Sequence, residues 1–340
     1  MKALVMNAYR SFTYTDVPNP VCSGNHDLLV EIHAAAICGS DVHGFDGSSG
    51  RRIPPVIMGH EASGTVVNTG KAVADFTPGD RVTFDSTIYC GRCSYCRSGR
   101  VNLCDYRQVL GVSCDDYRRQ GTFAQYIVIP ERIAYKIPRD LSFEAAALSE
   151  PAAVAAHAVR ITPRYLNETI AVVGSGLIGL LILQLLRRES SGRIIAFDTE
   201  PVRREAALHY GADAAVDPLG DELARYAGTV DRVFEAVGAE QPVQSAVRLA
   251  KKGGSVTLVG NISAYISFPL QQVVTREISL YGSCAISGEY PVVLDLMSRG
   301  SLDVTSMISA AAPLSQGQHW FERLYSREQG LLKVLLLPKE

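Results

Sequence analysis

The chain has 340 residues, 47% of them hydrophobic and 20% charged, with a net charge of −2. That length argues for two domains, and the composition is that of an ordinary soluble globular protein. The near-neutral charge leaves no basic footprint for nucleic acid or for a membrane surface, and neither is expected as a partner.

Met1 to Met6 turns polar too soon for a secretory leader. From Lys2 to about Lys136, short β-like runs alternate with turn residues. Residues 28–33, 65–68, 81–84 and 123–129 read as strands, punctuated by Gly64, Gly70, Gly79 and Gly121. Many short strands with frequent turns predict a barrel-like β domain. Inside it, Cys38 is followed by Ser40, Asp41 and His43, and beyond Ile53-Pro54-Pro55 by Gly59-His60-Glu61. Thiolate, imidazole and carboxylate are three protein ligands of the kind a catalytic zinc takes, with a fourth position open. Taken singly, Cys38 and His60 read equally as core residues, and Asp41 reads as structural.

Cys90, Cys93 and Cys96 stand three residues apart, and Cys104 follows after seven intervening residues. Such spacing lets a tight knuckle and a returning loop close a four-thiolate structural zinc site. A redox Cys-x-x-Cys pair is the alternative. Five of the eight cysteines lie between Cys90 and Cys114, which points to metal binding in a reducing compartment, the cytoplasm, rather than to disulfides. Cys22 and Cys114 read as packing or surface cysteines. Tyr117, Arg118 and Arg119 form a polar loop, either solvated or facing a phosphorylated sugar.

After Pro138 the pattern changes. Ser142 is an N-cap candidate for a helix over 143–148. Residues 169–186 are uncharged for about the length of a membrane span, but Gly174, Gly176 and Gly179 interrupt them. A buried strand at 170–173, a tight turn and a helix to about 188 explain that run. Strands at 193–197, 214–216, 232–235, 255–258 and 278–281 follow, with a helix at 201–209 among them. This alternation predicts a parallel sheet wound on both faces.

Gly174-Ser175-Gly176-Leu177-Ile178-Gly179 follows a predicted strand and opens a helix, and Asp198 ends the next strand about 20 residues later. The glycines permit a tight turn and close approach to a pyrophosphate, which would sit at the helix N-terminus over Leu177 and Ile178. Asp198 would accept the ribose hydroxyls and repel a 2′-phosphate, favouring NAD. Arg203 lies close enough behind to reach the cofactor, while Arg204 reads as a solvated helix face. Val237-Gly238 and Val259-Gly260 end two later strands, where ligands bind in open α/β sheets. From Gly288 onward a helix (290–299), a strand near Ala310, a helix (315–325) and a strand (331–337) close the chain.

Cys38-Gly39-Ser40-Asp41-Val42-His43, the run from Gly59-His60-Glu61 to Gly70 and the four-cysteine loop together resemble the zinc-dependent medium-chain alcohol and polyol dehydrogenases. The resemblance covers nearly the whole chain. It implies an α/β protein, with a GroES-like β-barrel catalytic domain at 1–150 and 288–340 and a Rossmann doubly wound sheet at 151–287. It implies two zinc ions per chain. The catalytic one would lie on Cys38, His60 and Glu61, with Glu150 holding the metal's water or ligating it. The structural one would lie on Cys90, Cys93, Cys96 and Cys104. The alcohol-dehydrogenase branch carries a cysteine near the place of Glu150, and its absence here favours polyol-like substrates. By the same resemblance Ser40 takes the alcohol's proton and His43 passes it to solvent. Ser283 and Cys284 meet the nicotinamide carboxamide, and Lys333 approaches the cofactor phosphates or is solvated. The implied reaction is NAD-dependent oxidation of a polyol, sugar acid or sugar phosphate to a ketone, by a homodimer or homotetramer. A zinc-free NADPH reductase of quinones or enones, and a non-catalytic binding protein on this fold, are the alternatives.

Overall fold

The computed structural model describes residues 1–114, 117–189 and 192–339. Its contacts divide the chain into two compact units, Met1–Glu150 with Ile286–Glu340, and Pro151–Ala285.

In the first unit, Lys2–Ala8 and Ser11–Asp16 form an antiparallel hairpin with Val56–Ile57 on its other edge. The main sheet has seven strands. Ala134–Lys136, Arg81–Phe84, Glu61–Thr69, Asp27–Ala36, Lys333–Leu337 and Ile308–Pro313 lie in that order, and Tyr126–Pro130 also pairs with Asp27–Ala36. Along Asp27–Ala36, Leu28, Val30, Ile32 and Ala34 are fully buried while the residues between them are partly exposed. That is the period of two expected when one face packs on the core. Phe45, Phe84, Phe123 and Phe321 fill the same core. Leu335 pairs antiparallel with Ala36, so the end of the chain sits beside the segment leading to Cys38.

The second unit is built on six parallel strands, Ala214–Val216, Ile194–Phe197, Ile170–Val173, Val230–Glu235, Ala250–Leu258 and Ser279–Gly282, in that spatial order. Ile170–Val173 and Ile194–Phe197 are buried at every residue. Helices on both faces explain why these strands are unbroken apolar runs. The order reverses at Ile170–Val173, the first strand of this unit, and ligands of such sheets bind at that switch point. No helix among the described residues is long and apolar enough to cross a membrane.

Candidate active site

Cys38 is the N-cap of a short helix, α1 (Gly39–Gly44). Its sulfur accepts from Ser40 N at 3.5 Å and from the Ser40 hydroxyl at 3.4 Å. In return, Asp41 Oδ2 accepts from Cys38 N at 3.3 Å, a reciprocal cap that fixes the start of the helix. Ser40 is therefore not the N-cap, and its hydroxyl is free to face Cys38. His43 lies three residues on, on the same side of the helix.

His60 and Glu61 enter from the opposite side, at the start of the strand Glu61–Thr69. Gly59 before them has φ +93°, and a Cβ there would lie 2.6 Å from Thr122 Oγ1 and 2.7 Å from the Phe123 ring. Only glycine takes that turn without strain, and the turn delivers both side chains inward. One donor atom each from Cys38, His60 and Glu61 lies within 4.8 Å of the others.

The surroundings suit a metal. His60 Nδ1 is buried without a hydrogen bond; its nearest polar neighbour is Asp41 Oδ1 at 3.4 Å. With Nδ1 turned to a carboxylate, Nε2 is the nitrogen left to ligate, the usual arrangement behind a metal-bound histidine. Burial disfavours a charged His60, yet the Asp41 carboxylate and the Cys38 sulfur outweigh it and raise its pKa. Asp41 is fully buried; burial opposes its ionisation, and His60 and Arg52 overcome that and hold its pKa far below the usual carboxylate range. Thiol, imidazole and carboxylate at this separation fit zinc with a fourth position open.

Glu150 is not part of that group. It accepts from the Ser86 hydroxyl at 3.0 Å. Burial, opposed by His60 and reinforced by Glu61, pushes its carboxyl up to about 7. Lys333 is neither solvated nor extended toward a phosphate. It is 3% exposed and donates to Glu61 Oε2 at 2.7 Å and to Ile37 O at 3.0 Å.

The four remaining sulfurs of the cysteine loop also come together. Cys90, Cys93, Cys96 and Cys104 lie within 4.8 Å of one another, with Cys90–Cys96 at 4.0 Å and Cys93–Cys96 at 3.5 Å. Four sulfurs about 2.3 Å from a tetrahedral zinc would stand roughly 3.8 Å apart, so the set fits a closed metal site. No disulfide joins any of the eight cysteines.

In the second unit, the turn Gly174 to Gly179 follows the strand Ile170–Val173 and opens the helix Leu177–Glu189. The first-turn N–H groups, including those of Leu177 and Ile178, have no partner within the helix and could receive an anion at its N-terminus. Asp198 Oδ2 accepts from Ser175 N at 2.7 Å, and Oδ1 accepts from Glu200 N at 2.9 Å. The carboxylate is thereby held against the turn. Arg203 is exposed. Arg204, expected to be solvated, donates instead to the carbonyls of Asp198 and Thr199. The Val237-Gly238 and Val259-Gly260 loops meet, since a Cβ on Gly238 would lie 2.2 Å from Asn261 N and one on Gly260 would lie 2.0 Å from Gly238 N. A Cβ on Gly174 would lie 2.4 Å from Val237 Cγ2, so the three loops pack against one another. Ser283 N donates to Leu258 O at 2.9 Å, and its hydroxyl is buried without a partner. Cys284 follows it at the end of the last strand.

Asp41, Arg52 and Ser86 stand behind the candidate ligands and were not foreseen in that role. The Cys38-x-x-Asp41 spacing is the one sequence signal that pointed there, because it is the spacing of a capping box.

The alcohol dehydrogenase GroES-like domain model matches residues 24–139, and the zinc-binding dehydrogenase model matches residues 178–299. A sorbitol dehydrogenase of Bacillus subtilis (strain 168) is 33% identical over 99% of this chain and 97% of its own length. A D-arabitol-phosphate dehydrogenase of Enterococcus avium is 31% identical over 98% of this chain and 96% of its own. A zinc-binding dehydrogenase from Sinorhizobium meliloti 1021, solved bound to NADP, is 34% identical, with a TM-score of 0.88 and 99% of each chain covered.

Proposed function

The chain belongs to the zinc-binding dehydrogenases with a GroES-like domain, and we propose that it oxidises a secondary alcohol of a polyol or sugar derivative to the ketone, with NAD as acceptor. The observation that carries this reading is the Cys38, His60 and Glu61 set, with His60 and Glu61 buried, Cys38 partly so, and the Ser40 hydroxyl beside it. A zinc-free reductase has no use for three converging metal donors, and that weighs against the alternative.

Cys38, His60 and Glu61 would hold the catalytic zinc, and Cys90, Cys93, Cys96 and Cys104 the structural one. Zinc bound there would supply Lewis acidity toward the alcohol oxygen, and a nicotinamide bound to the second unit would supply a hydride acceptor. Ser40 accepts the hydroxyl proton, and His43 passes it to water. Asp41 fixes the tautomer of His60. Glu150, held by Ser86, would hold the metal's water or ligate it. The turn from Gly174 to Gly179 takes the pyrophosphate, and Asp198 takes the ribose. A fixed carboxylate there disfavours a 2′-phosphate, which supports NAD over NADP. Ser283 and Cys284 are assigned to the nicotinamide end. We read the chain as a homodimer or homotetramer; the sheet edge at Ser279–Gly282, with Leu280 exposed, offers backbone donors and acceptors to a second copy. Eight cysteines without a disulfide suit the cytoplasm.

The test is zinc content per chain in wild type and His60→Ala, alongside NAD and NADP reduction with polyols, sugar acids and sugar phosphates. Two zinc ions falling to one with loss of activity is the expected result. One zinc in both proteins with activity unchanged would return the Cys38 segment to a structural role.

A further inference from the structure

Arg51 and Arg52 are adjacent, yet only Arg51 is exposed; Arg52 is 4% exposed. Its stem runs over Gly44 at the end of α1, where a Cβ would lie 2.3 Å from Arg52 Cγ. Beyond it the loop is pinned, because Ser113 Oγ accepts from Ile53 N at 2.5 Å and donates to Ile53 O at 2.8 Å. The guanidinium then reaches two groups at once. One terminal nitrogen donates to Ser40 Oγ at 3.2 Å and to Asp41 Oδ1 at 3.0 Å. The Nε–H is buried with no partner. A cation retained in the interior with an idle donor is a poor device for stability alone, since a well-packed apolar side chain does as well or better there.

The valence of Ser40 shows what the cation does. A hydroxyl has one proton to give and two lone pairs to receive. Arg52 occupies one lone pair, and the proton is directed to Cys38 Sγ. One lone pair is left, and it is the only place on Ser40 where the alcohol's proton can go. As the alcohol O–H bond breaks and a new Oγ–H bond forms, Ser40 turns its original proton away from Cys38 Sγ and gives it up to solvent, by way of His43 three residues on. A cation beside Oγ also stabilises the negative character that Oγ gains in that exchange.

We propose that Arg52 is a positioning residue for proton transfer, fixing Ser40 Oγ so that its remaining lone pair accepts from the substrate. The assignment rests on the dehydrogenase reading given above.

The experiment compares Arg52→Gln, Arg52→Lys, Ser40→Ala and the Ser40→Ala/Arg52→Gln double variant for kcat, KM and catalytic-zinc affinity. Arg52→Gln should lower kcat by about 30-fold, less than the roughly 10²–10⁴-fold of a full proton-transfer contribution because Arg52 acts through Ser40, with KM moved less than about threefold. Arg52→Lys should recover most of that loss. In the Ser40→Ala background Arg52→Gln should cost no more than about twofold further, because residues acting as one unit are not additive. Zinc affinity should change less than about threefold in every Arg52 variant. Losses that multiply in the double variant, or zinc bound tenfold more weakly in Arg52→Lys, overturn the proposal and make Arg52 a support for Asp41 and His60. The zinc measurement stands without turnover. A wild-type chain that binds both metals but reduces neither cofactor with any alcohol overturns the dehydrogenase reading, while weakened zinc in the Arg52 variants overturns this one.

Discussion

Lys333 Nζ and Glu61 Oε2 lie 2.7 Å apart, and the two side chains are 3% and 1% exposed. Residues 272 positions apart in the chain thus form a buried ion pair inside the candidate metal set. Burial alone would depress the lysine's pKa, but Glu61, Cys38 and Glu150 around it raise it. One cation therefore offsets part of the charge that a thiolate and two carboxylates bring to one place.

Lys333→Met leaves Glu61 as a buried carboxylate without its partner. Breaking such a pair costs about 3–5 kcal/mol. A metal on Glu61 would supply the missing positive charge, so the loss should fall to about half when zinc is bound. Urea denaturation of the variant with and without the catalytic zinc reads the difference. An equal loss in both forms would show that Lys333 acts by packing alone.

Cys93→Ser removes one sulfur from the closed four-thiolate set. Zinc content should fall by one ion per chain, and the melting temperature should drop, because binding free energy at a structural site is folding free energy. The His60 site should keep its metal. Unchanged zinc content would mean that the cysteine knuckle holds no ion.

Asp85 is buried beneath Glu150. Burial, only partly opposed by the Thr87 N–H and reinforced by Glu150 and Glu289, pushes its carboxyl up to about 8. The folded pKa stands above that of the unfolded chain, so between about pH 4 and 8 the folded state holds the extra proton. Stability then declines as pH rises through that window. Asp85→Asn keeps the acceptor for Thr87 N, bonded at 2.7 Å, and removes the titration. It should be more stable than wild type by on the order of 5 kcal/mol at pH 8, with little gain at pH 4. A gain that does not grow with pH would argue that Asp85 is ionised in the fold.

Asp198→Asn keeps a hydrogen-bond acceptor for Ser175 N and deletes the charge. If that charge is what disfavours a 2′-phosphate, the kcat/KM ratio of NAD to NADP should fall by about tenfold or more. Steady-state kinetics with both cofactors decide it. A ratio unchanged within twofold would move the choice of cofactor to Arg203 or elsewhere.

The local chemistry was legible in the sequence. Residue types at fixed spacing picked out the two cysteine-containing clusters that the fold brings together and the glycine turn between strand and helix, because donor sets and tight turns constrain short segments directly. The strands Ile170–Val173 and Ile194–Phe197 of the second unit were legible too, since burial on both faces makes each an apolar run. The hairpin of Lys2–Ala8 and Ser11–Asp16 was not, because Ser11–Asp16 is largely exposed and buries only Phe12. The helix Glu240–Leu249 could have been found, as Val243, Ala246 and Val247 fall at helical spacing on its buried face. What only the tertiary structure decided was which charges stand together out of water. The start of Glu61–Thr69, the segment leading to Cys38 and the strand Lys333–Leu337 converge through long-range strand pairing. That pairing put Lys333 on Glu61, while the loop held by Ser113 put Arg52 on Ser40 and Asp41. The strength of a buried ion pair depends on distance and burial, and neither is a property of sequence spacing when the partners come from opposite ends of the chain.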